Sequence, residues 1–195
     1  MPTSDDSGFD ASPTEASRGD DATLAYLGLQ PDEILNAVDS VGYHADGRLL
    51  ALNSYENRVY RVGVDDGRPI VTKFYRPGRW SDEAICEEHD FALELASHDI
   101  PVVPPVIYAG ASLHFHGPFR FSIAEYRGGR TPELDDMDLL RQIGRLVARM
   151  HRCGEARPFA HRPTVDVESY GRRSVEYLLE NALIPADLEP AYTSV

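Results

Sequence analysis

Apolar positions along this chain repeat first at helical spacing, then at alternate residues, then at helical spacing again. Pro31-Asp32-Glu33 opens a helix, with proline in the first turn and acids at the positive end of the helix dipole. Ile34, Leu35, Val38 and Val41 form its apolar stripe, and Gly42 ends it. Strands follow at Arg48–Leu52, Val59–Val64 and Ile70–Tyr75, the last two joined by a turn at Asp66-Gly67. The polar segment Asn53 to Asn57 joins the first strand to the second. Pro77-Gly78 closes the third strand, and Ser81 caps a helix that runs to about His98. Pro101, Pro104 and Pro105 hold the next stretch in extended geometry. Leu113–His116 and Phe119–Tyr126 then flank Gly117-Pro118 as another hairpin.

Beyond Tyr126 the alternation stops. Arg127-Gly128-Gly129-Arg130-Thr131-Pro132 reads as a linker, its adjacent glycines suited to a hinge. Leu139, Leu140, Ile143, Leu146, Val147 and Met150 return to helical spacing up to His151. A last helix is expected over Val167 to Leu183, with Val175, Leu178 and Leu179 inward, and Leu188 to Val195 follow without a terminating element. The fold class is therefore α+β: helix, three strands, helix, two strands, then helices alone. No internal repeat is present.

Composition sharpens the boundaries. Residues 1–21 carry six acidic residues and one basic among Ser, Pro, Gly and Thr, so a disordered acidic tail is expected over 1–25. A strand-rich region spans 26–126, the linker 127–132, and a helical region 133–195. The net charge of −13 argues against nucleic acid or an anionic membrane surface as partner. Cys86 and Cys153 are too few and too far apart for a disulfide framework or a zinc site. No apolar run is long enough to span a membrane and no signal-peptide pattern opens the chain, so a cytoplasmic protein is expected.

One charge interrupts this pattern. Lys73 sits inside the third strand, on the face with Val71 and Tyr75, while Ile70, Thr72 and Phe74 take the other face. A cation there either reaches out to water or meets an anion. On the following helix Glu88, Phe91, Ala92 and Leu95 share a stripe, whereas Glu87, Asp90 and Glu94 share the solvated side. Glu88 is thus the matching carboxylate for Lys73, although two separate surface charges would fit the pattern as well. The glycine-free loop Asn53–Asn57 offers hydroxyl, amide and backbone donors to phosphate oxygens, or is an ordinary polar hairpin loop. His114 and His116 share a strand face but lack a third metal ligand nearby, and a hairpin edge accounts for them. No nucleophile-elbow sequence supports hydrolase chemistry. His151, at the end of an amphipathic helix, reads as a packed histidine.

The segments Leu52 to Tyr60, Lys73-Phe74-Tyr75-Arg76-Pro77, Arg79-Trp80, Glu87-Glu88-His89, Phe91-Ala92-Leu93 and His161-Arg162-Pro163-Thr164 resemble the bacterial stress response kinase A family. That family belongs to the aminoglycoside phosphotransferase and choline kinase-like group. The resemblance covers roughly Leu29 to Pro185. It implies a protein-kinase-like N-lobe with a five-stranded antiparallel sheet, followed by the first helices of a helical C-lobe. It further implies an ATP- and Mg2+-dependent kinase acting on serine or threonine of proteins, linked to stress and expected as a monomer. Carried over position by position, Lys73 resembles the strand lysine that holds the nucleotide phosphates, and Glu88 its helical partner. Ser54, Tyr55 and Asn57 resemble the ATP-contacting loop, and Glu125 and Tyr126 the hinge that meets adenine. The family's His-Gly-Asp-x-His-x-x-Asn segment and its following metal-binding aspartate have no match after His151. No catalytic residue or Mg2+ ligand is assigned within the chain, so both are expected beyond Val195 and the chain alone is expected to be inactive. A small-molecule kinase acting on an aminoglycoside, an amino alcohol or homoserine, or a non-catalytic nucleotide-binding protein, are the alternatives.

Overall fold

The computed structural model describes residues 26–65, 67–133 and 135–194. The acidic segment expected as a tail lies outside them. In chain order the elements are α1 (Pro31–Asp39), β1 (Ala45–Leu52), β2 (Arg58–Val64), β3 (Ile70–Phe74), α2 (Asp82–Ser97), β4 (His114–His116), β5 (Phe119–Glu125), α3 (Met137–Glu155), a π-helical turn (Glu168–Arg172), α4 (Arg173–Glu180) and α5 (Glu189–Tyr192). The residues divide into two compact units, one ending at Arg157 and one starting at Pro158.

The first unit is built on a five-stranded antiparallel sheet in the order β1-β2-β3-β5-β4. β3 is central, and its alternation sorts the sheet into two environments. Ile70, Thr72 and Phe74 are buried with Val62, Phe119, Phe121 and Ile123 against Ile34, Ala37 and Val38 of α1. Phe74 stacks on Phe121 at 5.4 Å and meets Phe119 edge-on at 6.3 Å. Truncating a ring so enclosed costs about 3–5 kcal/mol in typical cores. The row Val59–Lys73–Ser122, set by the register of β2, β3 and β5, lies on the opposite face.

α2 crosses this second face. Ser81 Oγ accepts the Ala84 N–H at 3.2 Å, so the expected cap is present. Its C-terminus closes by a left-handed residue, Asp99 (φ 55°), with the Ile100 N–H donating to the Leu95 carbonyl at 3.1 Å and the Asp99 N–H to Ala96 at 3.1 Å. The helix is rotated from the expected phase. Its buried residues are Ala84, Ile85, His89 and Leu95, so Glu88, Phe91 and Ala92 lie half-buried on the flank.

Past the linker, α3 starts at Asp136, whose carboxylate accepts the Asp138 and Leu139 N–H groups at 3.0 Å. Its stripe of Leu139, Leu140, Ile143, Leu146 and Met150 is only half-buried. Arg149 donates to the carbonyls of His98 and Asp99 at 2.8 and 3.1 Å, placing a cation on the negative end of α2. In the second unit the single expected helix over Val167 to Leu183 is instead a π-helical turn that tightens into α4 and stops at Glu180. Val175, Leu178 and Leu179 are half-buried. The stretch from Leu188, expected to lack an element, holds the single-turn helix α5.

Gly42 tests the packing of α1 on the sheet. It sits at φ +84°, and a Cβ there would lie 2.8 Å from the Tyr108 ring. Gly42→Ala is expected to lose about 2 kcal/mol, since the left-handed conformation alone disfavours a side chain by 1–2 kcal/mol. Thermal unfolding should show a midpoint roughly 4–8 °C lower. Gly128→Ala, with open space around it, should leave the midpoint unchanged. Equal shifts in both variants would rule out the left-handed strain.

Candidate functional site

Strand β3 aims Lys73 toward the flank of α2, where Nζ lies 3.0 Å from Glu88 Oε1. The two side chains are 30% and 42% exposed, so water screens their attraction. Ion pairs of this kind contribute about 0–1 kcal/mol. The pair therefore adds little to the stability of the fold. Lys73 is also the chain's one lysine among 19 basic residues, the others all being arginine. An ammonium presents a compact, rotatable point charge where a guanidinium presents a planar fork.

Beneath the pair lies a buried polar chain. Lys73 Nζ stands 4.8 Å from the centroid of the Tyr75 ring. The Tyr75 hydroxyl is 2.6 Å from His89 Nε2 and 3.0 Å from Ser122 Oγ. His89 Nδ1 in turn lies 2.9 Å from Ser112 Oγ. Tyr75, His89 and Ser122 are 4%, 3% and 6% exposed. Neutral imidazole has one donor and one acceptor, which match one hydroxyl on each side. His89 is the residue that periodicity did not single out. Its spacing of four from Ile85 was the available signal, masked by assigning the apolar stripe one residue too early.

A cavity of about 170 Å³ opens between the sheet and α2, with Lys73 and Glu88 in its wall beside Val59, Val71, Ala92, Val103, Pro105 and Ala124. A larger cavity of about 530 Å³ lies by the β2–β3 turn and Tyr126, lined by neither Lys73 nor Glu88. The smaller one joins apolar walls to a cation.

The loop between β1 and β2 is braced from within. Ser54 Oγ donates to the Asn57 carbonyl at 2.8 Å, and Asn57 Oδ1 accepts the Arg76 N–H at 3.2 Å. Two of the side chains proposed as phosphate donors are thus engaged in holding the loop's shape, while Tyr55 is wholly exposed at its tip. Glu56 accepts from Arg79 Nε at 2.8 Å and Trp80 Nε1 at 2.9 Å. Partial burial works to raise the Glu56 carboxyl, but these two hydrogen bonds and the nearby Arg79 and Arg76 charges hold it below the usual range. Tyr26 donates to the carbonyls of Glu56 (3.1 Å) or Phe74 (3.3 Å), and burial pushes its hydroxyl up to about 12.

Glu125 and Tyr126 end β5. Glu125 pairs with Arg127 at 2.5 Å, and Arg61 lies over the Tyr126 ring at 5.3 Å. Both Glu125 and Tyr126 line the cavity of about 530 Å³, and Glu125 also lines one of about 300 Å³ that shares Val103 and Pro105 with the Lys73 cavity. On β4, His114 packs between Tyr108 and Phe121, and His116 meets Glu33 of α1 at 3.2 Å. Among the described residues no group of three or more His, Cys, Asp or Glu is placed to hold a metal ion.

Burial holds His89 near pKa 4, well below its ordinary 6.5, with Glu88 and Asp90 opposing this and Lys73 and His114 adding to it. His114 is lowered in the same way by burial. Between pH 6.5 and 4 the unfolded chain binds a proton that the folded one resists. Stability is therefore full above pH 6.5 and falls as the pH drops toward 4. For His89 the loss between pH 7 and 4.5 is about 2 kcal/mol. Urea unfolding at the two pH values should show it, and His89→Gln should flatten the difference by that amount. An unchanged pH slope in the variant would show that His89 is not the group responsible.

Comparison with known proteins agrees with this architecture. A family model described as "Phosphotransferase enzyme family" matches residues 48–191. Stress response kinase A of Escherichia coli (strain K12) is 39% identical over 171 residues, covering 88% of this chain and 52% of that protein. Serine/threonine protein kinase RdoA of Salmonella typhimurium (strain LT2) is 38% identical over 172 residues, with the same coverage. The chain thus spans about half the length of the curated relatives it matches. Among solved structures, an amicoumacin kinase in complex with AMP-PNP and Ca2+ aligns with TM-score 0.60 at 20% identity, over 89% of this chain and 52% of that one. A microcompartment-associated aminopropanol kinase aligns with TM-score 0.56 at 20% identity, over 79% and 55%. The sheet order, the helix across its face and these matches identify a kinase-like fold, and the chain belongs to the phosphotransferase enzyme family.

Proposed function

We propose that this chain holds the nucleotide in an ATP-dependent kinase that transfers the γ-phosphoryl group to a serine or threonine hydroxyl of a protein. The observation that carries the reading is the Lys73–Glu88 contact of 3.0 Å in the wall of an apolar cavity. Lys73 would meet the α- and β-phosphate oxygens, with Glu88 as its carboxylate partner on the helix. Val59, Val71 and Ala124 would enclose the base, and the β5 end at Glu125 and Tyr126 would offer backbone groups to its edge. The braced loop from Asn53 to Asn57 would meet phosphate through backbone N–H groups, with Tyr55 at its tip. Positioning of this kind is most of what phosphoryl transfer asks of a protein.

Among the described residues no cluster of three or more His, Cys, Asp or Glu is placed to hold a divalent ion. Relatives at 38–39% identity, named stress response kinase and serine/threonine protein kinase, favour a protein acceptor and a role in stress. The small-molecule kinases at 20% identity share the fold alone.

Nucleotide affinity of the full chain, measured with a fluorescent ATP analogue, tests the site. Lys73→Ala should weaken binding roughly 10- to 100-fold, the range of a hydrogen bond to a charged group. Glu88→Gln should weaken it less, and neither should shift thermal unfolding by more than a few degrees. Unchanged affinity in Lys73→Ala would overturn the assignment. With the full-length gene product and γ-labelled ATP, label on protein serine and threonine is expected. Label confined to amino alcohols or aminoglycosides would overturn the protein acceptor.

A further inference from the structure

The elements carrying Lys73 and Glu88 are joined twice. The first junction is the half-exposed ion pair itself. The second lies one layer deeper, two residues further along the strand path and one along the helix: Tyr75, just past the end of β3, to His89 of α2 at 2.6 Å, extended to Ser122 of β5 and Ser112 before β4. A pair open to water has little hold on two long side chains. A buried neutral hydrogen bond between short, ring-shaped side chains fixes their separation, because parting them leaves polar atoms in the interior without partners. The ring so fixed forms the surface against which the lysine ammonium packs, at 4.8 Å from its centroid. An ammonium over a ring face is attracted by the ring's quadrupole.

We propose that Tyr75 is a positioning residue for Lys73, locked by His89 and Ser122, and that this lock rather than the ion pair sets the place of the ammonium. The lock holds α2 against β3 whatever Glu88 does. Glu88 can then share its lysine with an arriving phosphate while the helix stays seated on the sheet. The consequence for nucleotide binding rests on the reading of Lys73 given above; the positioning of the ammonium does not.

Because the chain has one lysine, labelling with 13C,15N-lysine gives one side-chain signal to follow without ligand. In the full chain its Cε and Hε resonances should be displaced by the Tyr75 ring. Tyr75→Phe, which keeps the ring but removes the hydroxyl, should reduce that displacement, as should His89→Ala. His89→Gln, whose amide reaches the Tyr75 hydroxyl, should recover part of it. A lysine signal unmoved in both Tyr75→Phe and His89→Ala would overturn the proposal, even with a lowered unfolding midpoint.

AMP-PNP affinity provides the second arm. Tyr75→Phe should weaken it roughly three- to tenfold, a coupling typical of contacting residues, and should have no effect in a Lys73→Ala background. Equal weakening in both backgrounds would show that Tyr75 does not act through Lys73. If Lys73→Ala alone leaves AMP-PNP affinity unchanged, the nucleotide reading fails, and the lysine resonance still decides the positioning.

Discussion

A strand in the middle of a sheet must satisfy two surroundings with alternate residues, and β3 does so with opposite chemistries. Ile70, Thr72 and Phe74 point into the aromatic core under α1, where Phe74 meets Phe119, Phe121 and Tyr60. Lys73 and Tyr75 point the other way, toward α2. A slip of one residue in register would bury the ammonium among those rings and expose Phe74. The apolar core therefore aims the lysine. The energy that fixes the strand's register comes from side chains that never approach the cation.

Much of this was legible in the sequence because it depends on local rules. The alternation in β3, the Ser81 cap and the glycine stop after α1 each follow from a few adjacent residues, and the structure places all three as expected. The Lys73–Glu88 contact was also within reach, since it needs only the face of one strand and the approximate face of one helix. The deeper layer was not. His89 is polar, and polarity counts against burial in any periodic reading. Only the opposing hydroxyls of Tyr75 and Ser112 make its burial tolerable, and these lie 14 and 23 residues away. The roles of Ser54 and Asn57 were hidden for the same reason, because their partners within the folded loop and at Arg76 emerge only with the fold. The second unit defeated the pattern because its helices bury no residue fully, and a weak apolar stripe sets helix ends poorly.

The contrast between one lysine and many arginines separates two uses of positive charge in an acidic chain. Arg79, Arg120 and Arg149 act as structural forks, joining Glu56, Asp82 and the end of α2 through directed N–H groups. Each is committed to its geometry. Lys73 carries a compact charge on a flexible stem with three rotatable donors, which suits a group that exchanges one anion for another. Substituting arginine at this position would keep the charge and lose the compactness, above a ring and beside a carboxylate that leave room for an ammonium.

The two junctions that tie Lys73 and Tyr75 to α2 also differ in what the surrounding electrolyte does to them. At 1 M salt the screening length falls to about 3 Å, short enough to loosen an open ion pair such as Lys73–Glu88. The Tyr75–His89 bond is neutral and buried, so dissolved ions have no purchase on it. Raising the ionic strength therefore separates the charged contact from the helix that carries it. The site is tolerant of salt in its architecture and sensitive to salt in its electrostatics.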